Sequence, residues 1–199
     1  MIVGENQSMG FFEKQIETET MYRGLIVNVR RDIAEMGNGV RVPREVVEHP
    51  GGVGIIPVTS DGKILMVRQF RYPMGEELLE IPAGKLDNGE DPYECAVREL
   101  SEETGCTAGK LVDLGAMYPS PGFCRETLYL YLALDLQKGQ MHLDENELLS
   151  VEAVGIDELI DMIMANKLPD AKTVIGILKA KRYLDSKGGN QPPETFAIA

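Results

Sequence analysis

Between Gly84 and Cys106 the chain carries Glu90, Glu94, Arg98, Glu99, Glu102 and Glu103. Asp91-Pro92-Tyr93-Glu94 predicts the start of a helix, with a capping carboxylate, proline at the first helical position and glutamate at the third. Gly105 suits its end. On that helix Glu99 and Glu103 stand four apart and Glu99 and Glu102 three apart, so three carboxylates share one stripe. Like charges at this spacing repel and weaken a helix unless something neutralises them. Clustered hard oxygen ligands suit Mg²⁺ or Mn²⁺ and not zinc. Arg98 can pair with Glu90 or Glu94 and lock the loop to the helix. A charge run alone is most often a solvated helix face. The glycine loop ahead of this one changes the odds.

The fixed residues run Gly84, five residues, Glu90, seven residues, Arg98-Glu99-Leu100, one residue, Glu102-Glu103, one residue, Gly105-Cys106. This resembles the Nudix box, G-x5-E-x7-R-E-U-x-E-E-x-G-U with U apolar, at every fixed position. The resemblance implies a Nudix α/β/α sandwich with a mixed sheet, and a divalent metal held beside a diphosphate. It implies Glu99 and Glu103 as metal ligands, with Glu102 ligating or acting near a second metal. Glu90 and Arg98 are structural on this reading.

The flanks narrow the resemblance. Ser120-Pro121-Gly122 followed by Glu126, together with Val67-Arg68-Gln69-Phe70-Arg71 and Glu80-Ile81-Pro82-Ala83-Gly84, is similar to the ADP-ribose pyrophosphatase subfamily. That likeness implies Mg²⁺-dependent hydrolysis of ADP-ribose to AMP and ribose 5-phosphate. It adds the Ala83 carbonyl as a metal ligand and Glu126 for the terminal ribose hydroxyls. It puts Gly122 in the substrate-binding turn, and Arg71 at the diphosphate with Arg68 as second candidate. A general base is expected from the acidic loop Leu143 to Glu147, where Glu147 is favoured over Glu145. Glu102 of the box competes for the same role. Other nucleoside diphosphate sugars such as GDP-mannose share the linkage, and a non-catalytic ADP-ribose-binding module is the rival of another class.

The elements that must position these groups read as mixed α/β (α+β). Phe12 to Glu19, Arg23 to Arg31 and Val40 to Val47 predict a small antiparallel β segment, with a hairpin-type turn at Gly37-Asn38-Gly39. Residues 1–48 form this segment, and the resemblance implies a homodimer in which it is exchanged. Residues 49–185 form the Nudix domain and 186–199 a flexible tail. In that domain Val53 to Thr59 and Lys63 to Phe70 predict a hairpin closed by Ser60-Asp61-Gly62. Further strands are expected at Leu78 to Ile81, Leu111 to Tyr118, Thr127 to Leu134 and Val151 to Gly155. The box helix runs to Thr104 with Tyr93, Ala96, Val97 and Leu100 on one face. Two more helices are expected, from Asp157 to Ala165 and from Asp170 to Leu184.

Composition sets the outer bounds. The 199 residues hold 43% hydrophobic and 26% charged side chains, enough for a globular core. Lys+Arg number 20 against 32 Asp+Glu, a net charge of −12. Phosphate-backbone and anionic-lipid binding need a basic face, so nucleic-acid and membrane partners are not expected. An anionic small molecule stays accessible because a bound cation reverses the local field. Cys95, Cys106 and Cys124 make an odd, scattered set, which points to a reducing, cytoplasmic setting. Met1 to Gly10 shows no signal-peptide pattern and no run reaches the ~18 apolar residues of a membrane helix. Met9 offers an alternative start.

Overall fold

A computed structural model describes residues 11–143 and 148–188. The chain divides into two compact units, one comprising residues up to Pro50 with Ser120–Glu126, the other Gly51–Pro119 with the chain from Thr127 onward.

The first unit is a meander of β1 (Glu13–Arg23), β2 (Asn28–Met36) and β3 (Arg41–Glu48), antiparallel in that order. The expected turn at residues 37–39 is present: Gly39 takes φ 81° and its N–H donates to the Met36 carbonyl at 2.8 Å. The first turn lies elsewhere than the sequence suggests. It falls at Gly24–Val27, where the Gly24 N–H donates to the Val27 carbonyl at 2.9 Å, so β1 runs past Glu19 to Arg23. The sequence places Ser120–Glu126 within the span 49–185 assigned to the following domain. Its main chain instead bonds β3, with the Val47 N–H to the Phe123 carbonyl at 2.8 Å and the Arg125 N–H to the Val47 carbonyl at 2.9 Å. Unpaired main-chain groups of an edge strand seek such partners.

In the second unit, β4 (Gly52–Pro57) pairs in parallel with β9 (Leu128–Lys138) and antiparallel with β7 (Ala83–Lys85). With β8 (Cys106–Met117) they make a mixed sheet ordered β7-β4-β9-β8. A second sheet joins β10 (Leu149–Gly155), β5 (Lys63–Arg71) and β6 (Glu76–Glu80). The helices are α1 (Pro92–Thr104), α2 (Ile156–Met164) and α3 (Ala171–Gly188). Alternation along the central strands explains the layering. Val53 and Ile55 of β4 and Tyr131 and Ala133 of β9 pack with Cys95, Ala96 and Leu100 of α1. Ile56, Leu130 and Leu132 point the other way, into a core with Leu159 of α2 and Ile177 and Ala180 of α3. Helices therefore cover both faces, the α/β/α sandwich expected.

The turn at Ser60-Asp61-Gly62 forms, with Gly62 at φ 80° and the Thr59 N–H donating to the Lys63 carbonyl at 2.9 Å. The hairpin it should close does not. Beyond one bridge between Val58 and Ile64, β4 and β5 enter different sheets. Every residue of β4 is buried, so it takes a central place beside β9, while β5, with charged Arg68 and Arg71, pairs with β10 and β6. No helix among the described residues is long and apolar enough to cross a membrane.

Candidate active site

The box helix starts and stops where its sequence directs. The Asp91 side chain accepts from the Tyr93 N–H at 2.8 Å, Pro92 opens the helix, and Gly105 closes it at φ 67°. The buried face differs from the one read from periodicity. Ala96 and Leu100 are inside, but Tyr93 and Val97 are exposed, and the inner stripe is Cys95, Ala96, Glu99, Leu100 and Glu103. The true inner face is shifted because it includes two carboxylates, which a hydrophobic count scores as outward. Burial pushes the Cys95 thiol up to about 12, so it is inert packing.

Glu99 and Glu103 are 7% and 2% exposed. Glu103 Oε2 accepts from the Ala83 N–H at 2.9 Å. The Glu99 carboxylate fills the space that a Cβ on Gly84 would need. Both carboxylates thus abut the main chain of Ala83–Gly84, and glycine is required at position 84 for the close approach. Arg98 gathers the remaining charges. Its Nε and Nη2 bond Glu90 at 2.9 and 3.0 Å, and its Nη1 bonds Glu99 at 2.7 Å and Glu102 at 3.0 Å. Glu90 also accepts from the Asp87 N–H at 2.9 Å. The Arg98 hydrogen bonds hold the Glu90 carboxyl down at about 2. Among the described residues no hydrogen bond or ion pair joins Glu94 to this cluster.

Removing a carboxylate from water costs several kcal/mol. Arg98, the Ala83 N–H and a divalent cation would share that cost for Glu99 and Glu103. Among the described residues no three His, Cys, Asp or Glu side chains converge as a ready-made cage. The fit to a cation rests on two buried hard-oxygen donors set against the half-buried main chain of edge strand β7, with half-exposed Glu102 beside them.

Arg71, at the end of β5, forks onto Glu80: Nε to Oε1 and Nη2 to Oε2, both 2.7 Å. Arg68 pairs instead with Glu152 of β10 at 2.7 Å. Burial would raise the Glu80 carboxyl, but the Arg71 hydrogen bonds and the Lys172 charge hold it below its ordinary range. Glu80 is 1% exposed, Lys172 8% and Thr173 0%. Sequence reasoning named Asp170 as a helix start and missed both Lys172 and Thr173; a lysine directly inside a capped helix start was the available signal. In the first unit, Glu126 lies 3.5 Å from His49 Nδ1, and Gly122 sits in a turn with open space around it. Glu145 and Glu147 lie outside the described residues.

The NUDIX domain model matches residues 48–175. The chain is 41% identical to ADP-ribose pyrophosphatase of Bacillus subtilis (strain 168) over 177 residues, 88% of this chain and 94% of that protein. It is likewise 41% identical to the Methanol dehydrogenase activator of Bacillus methanolicus over 169 residues, 84% and 91% of the two chains. A crystal structure of ADP compounds hydrolase superposes with a TM-score of 0.78 at 25% identity, covering 88% of this chain and 96% of the other. Likeness of this extent reaches well past the glycine loop and its helix, and the chain belongs to the NUDIX domain family of hydrolases.

Proposed function

We propose that this protein hydrolyses the diphosphate of ADP-ribose to AMP and ribose 5-phosphate, using Mg²⁺ or Mn²⁺. The observation that carries the reading is the seating of buried Glu99 and Glu103 on the Ala83–Gly84 main chain. The relatives named above supply the substrate class.

Glu99, Glu103, Glu102 and the Ala83 carbonyl would hold the cation. When bound, it would draw charge from the diphosphate oxygens and ease attack by water. Arg98 ties Glu90, Glu99 and Glu102 together and keeps the loop on the helix. Arg71 would direct the rest of its fork at a diphosphate oxygen, a geometry suited to phosphate. Arg68, engaged by Glu152, is the weaker candidate. Glu147, or Glu145, would take the proton from the attacking water, with Glu102 as the competing base. Glu126 would accept from paired ribose hydroxyls, and Gly122 would let the turn approach the sugar.

We infer a homodimer built through residues 1–48, with the Nudix domain assigned to 49–185 and a tail to 186–199. Support comes from β1, exposed over nearly its whole length, and from exposed Met21, Tyr22, Leu25 and Ile26. A cytoplasmic setting fits the unpaired Cys95, Cys106 and Cys124.

The test is AMP release from ADP-ribose with Mg²⁺ and with EDTA, beside GDP-mannose and other diphosphate sugars. Mg²⁺-dependent preference for ADP-ribose is expected. A preference for GDP-mannose of about tenfold or more in kcat/KM would overturn the substrate. Binding without turnover of any of them would favour a binding module.

A further inference from the structure

We propose that Lys172 is a positioning residue that sets the Arg71 guanidinium for its phosphate-binding task, an inference that rests on the diphosphate role given to Arg71 above. Lys172 is on the first turn of α3, remote in sequence from the box. Its Nζ donates to Glu80 Oε2, the same oxygen that accepts from Arg71 Nη2. It donates also to Asp170 Oδ2 at 3.0 Å. Asp170 Oδ2 accepts from the Thr173 N–H at 3.0 Å and from Thr173 Oγ1 at 2.5 Å. Thr173 Oγ1 in turn accepts from the Ile81 N–H at 3.0 Å. Ile81 follows Glu80 in the chain, so the bonds close a ring: Glu80, Lys172, Asp170, Thr173, Ile81.

This ring clamps the start of α3 to the end of β6. Arg71 hangs from one side of it through its fork to Glu80. Two residues beyond Ile81, the Ala83 N–H holds Glu103. The clamp therefore stands between the arginine and the carboxylate pair, and it fixes where both begin.

Charge explains why a lysine is needed there. A carboxylate 1% exposed with a single partly exposed arginine would be a neutral pair, its oxygens free to rotate with the arginine. A second cation on Glu80 pins the carboxylate from the helix side. With Asp170, which Lys172 also bonds, the group of Arg71, Glu80, Lys172 and Asp170 is neutral, so Lys172 balances the second carboxylate while it holds Glu80 in place. Arg71 Nη1 has no hydrogen-bond partner among the described residues, and the side chain is 37% exposed. The guanidinium is held by one edge and open along another, the arrangement a bidentate phosphate contact uses.

The experiment is a double-mutant cycle of Lys172→Met and Arg71→Gln, assayed on the diphosphate sugar that the wild type turns over fastest. Lys172→Met is expected to raise KM about tenfold while kcat changes less than about threefold. In the Arg71→Gln background the same change should add almost nothing, because the group it positions is gone. Lys172→Arg should recover most of the loss. A second readout is the ¹⁵N Nε–H resonance of Arg71, assigned by its disappearance in Arg71→Gln. Its shift should move in Lys172→Met and return in Lys172→Arg. If Lys172→Met does not fold, Lys172→Gln serves, with melting temperature recorded for each protein. An unchanged KM and resonance in the folded variant overturns the proposal, as does an equal loss in both backgrounds. Arg71→Gln with wild-type KM overturns the diphosphate role itself. The resonance reports on Lys172 independently of turnover, so the two failures are separable.

Discussion

The carboxylate of Glu99 occupies the volume that a side chain on Gly84 would claim, so a strand glycine and a helix glutamate fifteen residues apart in sequence are one steric unit. Gly84 has no left-handed φ to explain it; contact alone demands glycine. Gly84→Ala should push the Glu99 carboxylate off the main chain. The expected cost is about 1–3 kcal/mol of stability, as for overpacking a tight site. Turnover should fall by about 100-fold through misplacement of the carboxylate. Chemical denaturation beside kcat/KM checks both; wild-type values in each would show that the two groups do not depend on one another.

Glu103→Gln keeps the oxygen that accepts from the Ala83 N–H and removes only the charge. The fold should therefore survive with a wild-type circular dichroism spectrum. Transition-state stabilisation should drop by about 3–4 kcal/mol, or 10²–10³-fold in kcat/KM. Near-wild-type turnover would take Glu103 out of the metal site.

The acidic loop separates three candidates for the base. Glu147→Gln is expected to lower kcat by about 10²–10⁴-fold and Glu145→Gln by much less. The reverse order would move the assignment to Glu145. No loss in either would return it to Glu102.

The Arg98 hydrogen bonds hold Glu90 at about 2, below the ordinary 4.5. A carboxylate whose folded value is depressed contributes stability that is present above its unfolded value. That stability is lost as pH falls through the folded one. In EDTA, the wild type should lose denaturant resistance as pH drops from about 4.5 towards 2. Glu90→Gln should start less stable at pH 7 and show a flatter profile across that window. Parallel profiles for the two proteins would mean that the pair contributes nothing.

Much of the fold could be read from local chemistry. Asp91, Pro92 and Gly105 bound α1 because capping depends on residues within one turn. Gly39 and Gly62 mark turns because their positive φ values are local steric facts. The spacing from Gly84 to Cys106 carried the family, since each fixed position serves one compact loop and helix. Strand positions were broadly legible from apolar runs, but not their partners. Thr59 to Lys63 turns as expected, yet β4 and β5 part company, because pairing is decided by which faces need cover and not by the turn between them.

The amino-acid sequence by itself determined the caps, the turns, the apolar runs of β4 and β9, and the acidic stripe Glu99, Glu102, Glu103. Tertiary structure alone decided which members of that stripe are buried, that Ser120–Glu126 pairs with β3, and that Lys172 reaches Glu80 across more than ninety residues of chain. The physical reason is one of range. Capping and turn geometry are settled within a few residues. The burial of a charge is settled by the partner that compensates it, and that partner is brought close only when the chain has folded.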